Sequence, residues 1–148
     1  LKTDKEEDAD ELFQQHIEAQ CKRLRILGFT GTPIIRGNLN AMDKSLLPSL
    51  QTVCTEILNN IAKHGKPGAF AFILSVGPDA VRIFASNLYN AAINSAPENH
   101  YGTALIQDFA QQHNGTMTIN SENEEWSLSL TIPLAHQVKL MFSPTEKL

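Results

Sequence analysis

Apolar residues at Leu12, Phe13, Ile17, Cys21, Leu24 and Leu27 recur at intervals of three and four, one face of a helix. That spacing predicts an amphipathic helix, with Gly28 placed to end it. Residues 29–35 follow as a short strand. A broader stripe, Leu46, Leu47, Leu50, Val53, Cys54, Ile57, Leu58 and Ile61, predicts a second helix closed by Gly65 and Pro67. Residues 69–76 read as a buried strand, Gly77-Pro78-Asp79 as a turn, and residues 80–85 as the other arm of a hairpin. From 86 to 101 the period is lost among Asn87, Asn90, Asn94, Pro97 and Asn99, and a loop of that length in a compact domain is usually functional or disordered. Residues 103–113 predict a short helix with apolar positions Ala104, Leu105, Phe109 and Ala110. Strands at 116–120 and 126–132 complete the pattern, joined by a polar turn and ended by Pro133. Hairpins combined with helices imply a mixed or antiparallel sheet covered on one face, a two-layer α/β sandwich.

Composition narrows the function classes. The 148 residues suit one domain with a helical extension, and 42% hydrophobic against 19% charged content excludes a disordered chain. A net charge of -4 without a basic stripe argues against nucleic acid as a partner. No apolar run is long enough to span a bilayer, and the opening from Asp4 to Glu11 is acidic, a solvated helix start rather than a targeting segment. A chain opening at Leu1 reads as a cytoplasmic piece of a larger protein whose parent can still be membrane-anchored.

Cys21 and Cys54 stand among apolar helical residues and read as small hydrophobes in a reducing compartment, not as a disulfide. The histidines at 16, 64, 100, 113 and 136 form no metal-ligand pair, so no structural zinc site is expected. His16 reads as a surface histidine and Trp126 as a strand residue packed on the sheet. Asn114-Gly115-Thr116 fits a glycosylation sequon, but Asn-Gly also marks turns and helix ends, the reading that suits a cytosolic protein.

The candidate chemistry lies on the second helix. Glu56, Asn60, Lys63 and His64 are spaced by four, three and one, and at about 100° per residue they share one polar stripe. By itself this is the wet face that any amphipathic helix needs. A carboxylate, an amide and two cationic-capable groups are also what a magnesium–triphosphate site needs: hard oxygen ligands for the metal, positive groups for the phosphates.

The run Glu56-Ile57-Leu58-Asn59-Asn60-Ile61-Ala62-Lys63-His64 resembles the N-box of histidine kinases of the DesK/NarX type, within the GHKL ATPase superfamily. The likeness extends over roughly residues 10–134 through element order, the segment Tyr101-Gly102-Thr103-Ala104-Leu105-Ile106, the helix end His113-Asn114-Gly115-Thr116, and the terminal Ile-Pro-Leu. It implies the GHKL ATP-binding fold, with ATP and Mg2+ as cofactors. Asn60 is then the magnesium-coordinating asparagine, Glu56 the acidic residue acting at the γ-phosphate, and Lys63 and His64 the basic pair near the phosphates. Gly102 matches a lid glycine, followed by Thr103 at a helix start that can face phosphate.

The resemblance further implies that residues 1–28 connect to a dimerisation domain carrying the phospho-acceptor histidine, that 29–134 are the catalytic domain, and that 135–148 are a peripheral tail. The implied partners are that dimerisation domain and a response regulator, in a homodimeric full-length kinase. Departures are equally plain. Ser86-Asn87-Leu88-Tyr89 replaces the family's Asp-x-Gly-x-Gly, so the adenine-reading residue is Asn87. His100 replaces a lid glycine, and Glu125-Trp126 stands where many members have Gly-Thr. Two alternatives follow: a nucleotide-blind GHKL scaffold serving as an interaction module, and a GHKL kinase acting on a protein serine. The expected lid is residues 87–101.

Overall fold

The computed structural model describes residues 2–89 and 103–134. The first helix, α1 (Lys2–Ile26), buries Phe13, Ile17, Cys21 and Leu24, whereas Leu12 and Leu27 lie outside the seam and are exposed. It ends where the sequence predicts. Gly28, at φ +102°, donates its N–H to the Arg25 carbonyl, and Phe29 donates to the Leu24 carbonyl at 3.0 Å. This pair of bonds is a Schellman end, whose left-handed position favours glycine.

Strand β1 (Pro33–Gly37) starts later than expected, and Thr30 makes only an isolated bridge to Ala69. At Gly31 the chain runs so close to Phe70 that an added Cβ would sit 2.5 Å from its carbonyl oxygen. After a 3-10 turn at Leu39–Ala41, capped by the Asn38 side chain, comes α2 (Leu46–His64). This helix runs straight into β2 (Gly65–Val76), which begins earlier than the expected residue 69.

Strand β3 (Ala80–Tyr89) requires a correction at its far end. It continues past Ala85, so Asn87, Leu88 and Tyr89 belong to the sheet and not to a loop. The remainder of the expected lid, 90–101, and Gly102 lie outside the described residues. Then follow α3 (Thr103–Gln112), β4 (Thr116–Glu122) and β5 (Glu125–Pro133). The sheet order is β1-β2-β3-β5-β4; β1 pairs with β2 in parallel and the other neighbours are antiparallel.

The core lies between this sheet and the helices. Phe72, Leu74 and Val76 on β2, Val81, Ile83 and Ala85 on β3, and Leu128, Leu130 and Ile132 on β5 alternate inward under α2 and α3. Each of these side chains except that of Ala85 contributes roughly 1.5–3 kcal/mol by leaving water. The other sheet face is open, with Ile34, Phe84 and Leu88 exposed. The result is a two-layer α/β sandwich with a mixed sheet and helices on one face. On α3 the buried positions are Ile106, Phe109 and Ala110, while Ala104 and Leu105 face out, a shift of the expected stripe. Asn114, at φ +59°, ends α3 with Gly115 donating to the Ala110 carbonyl at 2.7 Å, so Asn-Gly is a helix end. The β4–β5 turn places Asn123 and Glu124 at positive φ, as a two-residue hairpin demands, and the Glu124 carbonyl accepts the Tyr89 N–H at 2.9 Å.

Two further features join α1 to the sandwich. His16 is half-buried rather than a free surface residue: its Nε2 lies 2.8 Å from Thr55 Oγ1 on α2. The Thr55 hydroxyl gives its proton to the Gln51 carbonyl at 2.9 Å, so Oγ1 accepts and His16 carries its proton on Nε2. Cys21 and Cys54 are free and fully buried. Burial pushes the Cys21 thiol up to about 11, helped by the Glu18 charge and partly offset by Arg25. Burial, with Cys21 nearby, raises Cys54 further still. Among the described residues no helix is long and apolar enough to cross a membrane.

Candidate functional site

The C-terminal half of α2 carries the candidate residues, and the fold divides them. Asn60 is 4% exposed, an uncommon setting for an asparagine, flanked in sequence by the buried Ile57 and Ile61. His64, one turn on, is half-buried. Glu56 is half-buried, and Lys63 is exposed at the final turn. The single wet stripe expected from spacing is therefore split, because the sheet passes beneath the end of α2 and draws Asn60 and His64 inward.

Beneath them lies a narrow crevice lined by Asn60, His64, Gly65, Asn87, Tyr89 and Trp126, too tight to admit a water molecule. Asn87 reaches it from β3. The alternation that buries Val81, Ile83 and Ala85 carries on through Asn87 and Tyr89. Asn87 is 5% exposed, and its Nδ2 donates to the Leu88 carbonyl at 2.6 Å, which leaves the Oδ1 end as its acceptor. Trp126 stands directly across from Asn87 in the β3–β5 register, and Gly65 pairs with Tyr89. Glycine at 65 is a steric requirement: a Cβ there would overlap both Asn87 Nδ2 and the backbone oxygen of Ile61.

The Asn60 carboxamide is not used up by the fold. Its Nδ2 is buried without a hydrogen-bond partner among the described residues, as is Asn59 Oδ1. Leaving such a group unpaired costs about 1–3 kcal/mol, and native proteins keep few of them. The two ends of a carboxamide exchange by a half-turn of the side chain, so the same group suits a phosphate oxygen as donor or a hard cation as ligand. Magnesium therefore fits Asn60, provided that most of its oxygen ligands come from phosphate and water. A purine base does not fit the crevice in this conformation.

The remaining candidates lie elsewhere or outside the described residues. Thr103, at the start of α3, lines a separate groove with Gln107, Met117, Ile119 and Ser121. Gly102 cannot be placed. No group of three or more histidine, cysteine, aspartate or glutamate side chains comes together to hold a metal among the described residues. Sequence reasoning passed over Tyr89 and gave Gly65 and Trp126 a purely structural place. The signal was present in the period of two along 81–89 and 126–132, which puts Asn87, Tyr89 and Trp126 on one face.

No family profile and no curated protein sequence matches the chain. Its fold does have solved counterparts. The nucleotide-free catalytic domain of the histidine kinase ThkA superposes with a TM-score of 0.62 at 12% identity, covering 84% of this chain and 93% of that one. The histidine kinase AdeS of Acinetobacter baumannii gives 0.61 at 10% identity over 86% of this chain and 64% of its own. The blue-light activated histidine kinase of Erythrobacter litoralis gives 0.57 at 11% identity, over 82% of this chain and 41% of its own. In its fold, this chain is built like the catalytic domain of histidine kinases.

Proposed function

We propose that the chain is the ATP-binding catalytic domain of a two-component sensor histidine kinase of the DesK/NarX pattern, acting on a histidine outside residues 1–148. The observation that carries this reading is Asn60: a buried amide whose Nδ2 has no partner among the described residues, lining one crevice with Asn87 in a sandwich shared with histidine kinase catalytic domains. In this reading Asn60 holds magnesium and Glu56 acts at the γ-phosphate. Lys63 and His64, in the last turn of α2, meet the phosphates, as do Gly102 and Thr103, the latter at the start of α3. Asn87 accepts from the adenine amino group. Positioning and charge neutralisation account for most catalysis of this kind, so few groups suffice. Residues 1–28 are the connector from a dimerisation domain, residues 29–134 the catalytic unit and 135–148 a tail. The partners are that dimerisation domain and a response regulator, in a homodimeric kinase whose catalytic part is cytoplasmic.

Binding is expected to be weak, because a neutral amide at 87 replaces a carboxylate, a loss on the order of 1 kcal/mol. The test is calorimetric titration with Mg·ATP, followed by phosphotransfer to a joined dimerisation domain. N60D and N60A should lose magnesium-dependent binding and keep the native fold. Unchanged affinity and phosphotransfer in either variant would remove Asn60 from the site. A second reading, a nucleotide-blind scaffold that serves protein interaction, draws support from the crevice being filled by Tyr89 and Trp126. Absence of any Mg·ATP binding by the folded chain would select it.

A further inference from the structure

We propose that Trp126 is the gate of this crevice: its indole occupies the space a nucleotide base needs, so a base binds only when the indole withdraws. The inference rests on the nucleotide-binding reading above and adds a residue that sets access to the site. Four observations carry it. Trp126 is 2% exposed, so its side chain is packed inside rather than lying over the opening. It lines the same crevice as Asn60 and Asn87, the two buried polar residues of the described core. The ladder sets it opposite Asn87, whose carbonyl end is the acceptor available to a base. The crevice excludes even water, yet the buried Nδ2 of Asn60 on its wall has no partner among the described residues. A polar wall closed by an aromatic side chain is the arrangement expected of a site held shut.

The neighbourhood also gives the indole a route. Trp126 is the second residue of β5, beside the hairpin turn in which Asn123 and Glu124 hold positive φ. The turn is tied to the end of β3 through the bond from Tyr89 to the Glu124 carbonyl. Withdrawal needs that bond and the adjoining ladder pairs, Leu88 with Glu125 and Asn87 with Trp126, to open together, an opening that stops short of Leu128, Leu130 and Ile132. A shut majority state lowers apparent affinity by the fraction of molecules that are open. If fewer than about a tenth are open, removing the gate raises affinity at least about tenfold.

The chain has a single tryptophan, so its emission reports on the gate alone. The experiment titrates Mg·ATP into the wild-type chain, W126A and W126F, with affinity read by calorimetry and fold by circular dichroism. W126F keeps an aromatic ring in the core and serves if W126A does not fold. The expected result is a folded variant that binds Mg·ATP at least about tenfold more tightly than wild type. Wild-type tryptophan emission should also shift to the red on binding, as the indole meets water. A merely structural tryptophan gives the opposite sign, because its loss weakens the site. Binding by wild type with no such gain in the folded variants overturns the gate and leaves the nucleotide reading standing. Absence of binding by wild type and folded variants alike overturns that reading, and the gate with it.

Discussion

Replacing Asn60 with leucine separates the stability of the fold from the use of the site. The side chains are similar in size, and position 60 is 4% exposed in a helix whose neighbours Ile57 and Ile61 are core residues. The change removes a buried Nδ2 that has no partner among the described residues, which costs the native protein about 1–3 kcal/mol. It also adds apolar surface to a crevice that already excludes water. The N60L chain without ligand should therefore be more stable than wild type by about 1–3 kcal/mol. Unfolding entropy of about 2.1 cal/mol/K per residue converts this to a rise in Tm of roughly 3–10 °C for a chain of this size. Mg·ATP binding should be lost in the same variant. Scanning calorimetry without nucleotide and titration with it give the two readings. A fall in Tm would refute the reasoning, because it would mean that the Asn60 amide is satisfied in the free protein and contributes to its stability. A raised Tm with binding retained would show that the cost of the unpaired amide is real but unconnected with the ligand.

Three further outcomes are expected. Because burial raises both thiols above their ordinary 9.0, the folded state keeps protons that the unfolded chain has released. Stability should fall as pH rises from about 9 through about 11, by up to about 1.4 kcal/mol per pH unit for each thiol. Urea unfolding of C21A/C54A should lack that slope, whereas an unchanged slope would trace it to other groups. G65A should lose about 1–3 kcal/mol through overlap with the Ile61 carbonyl and Asn87, read as a lower urea midpoint, and a neutral result would mean that the junction of α2 and β2 yields easily. A double-mutant cycle of H16A and T55V should give a coupling of about 0.5–1.5 kcal/mol for the bond between α1 and α2, and a coupling near zero would make that bond an ornament of the packing.

Much of the fold could be read from the sequence because burial and period agree there. The stripe of α2, the β2–β3 turn, Gly28 and Asn114 each carry a local signal that tertiary packing reinforces. Misreadings occurred where local chemistry and burial part company. Ala104, Leu105 and Ile106 are apolar in succession, so period alone does not say which one faces the sheet, and the packing chooses Ile106. Asn87 looks like a loop residue by propensity, yet β2 and β5 pair with it from both sides and hold it in a strand. His16 reads as a surface residue until Thr55, 39 positions away, supplies an acceptor. At the candidate site, spacing along α2 identified Asn60 and His64 but grouped them with Glu56 and Lys63, which line no part of the crevice. Helical period places residues on one face; it does not say how far the sheet extends beneath that face.

The pairing of Asn87 with Trp126 also bears on how the molecule folds. β2 and β3 join through a tight turn, as do β4 and β5, so each hairpin can form from local contacts within microseconds. The β3–β5 ladder is different, because it joins the two hairpins across the whole intervening chain and closes only after that entropy has been overcome. The crevice is stitched at this late seam. Collapsed intermediates can hold α2 and either hairpin in place while having no crevice at all, and a chain caught at that stage has strand edges on both sides of the unformed seam open to other chains.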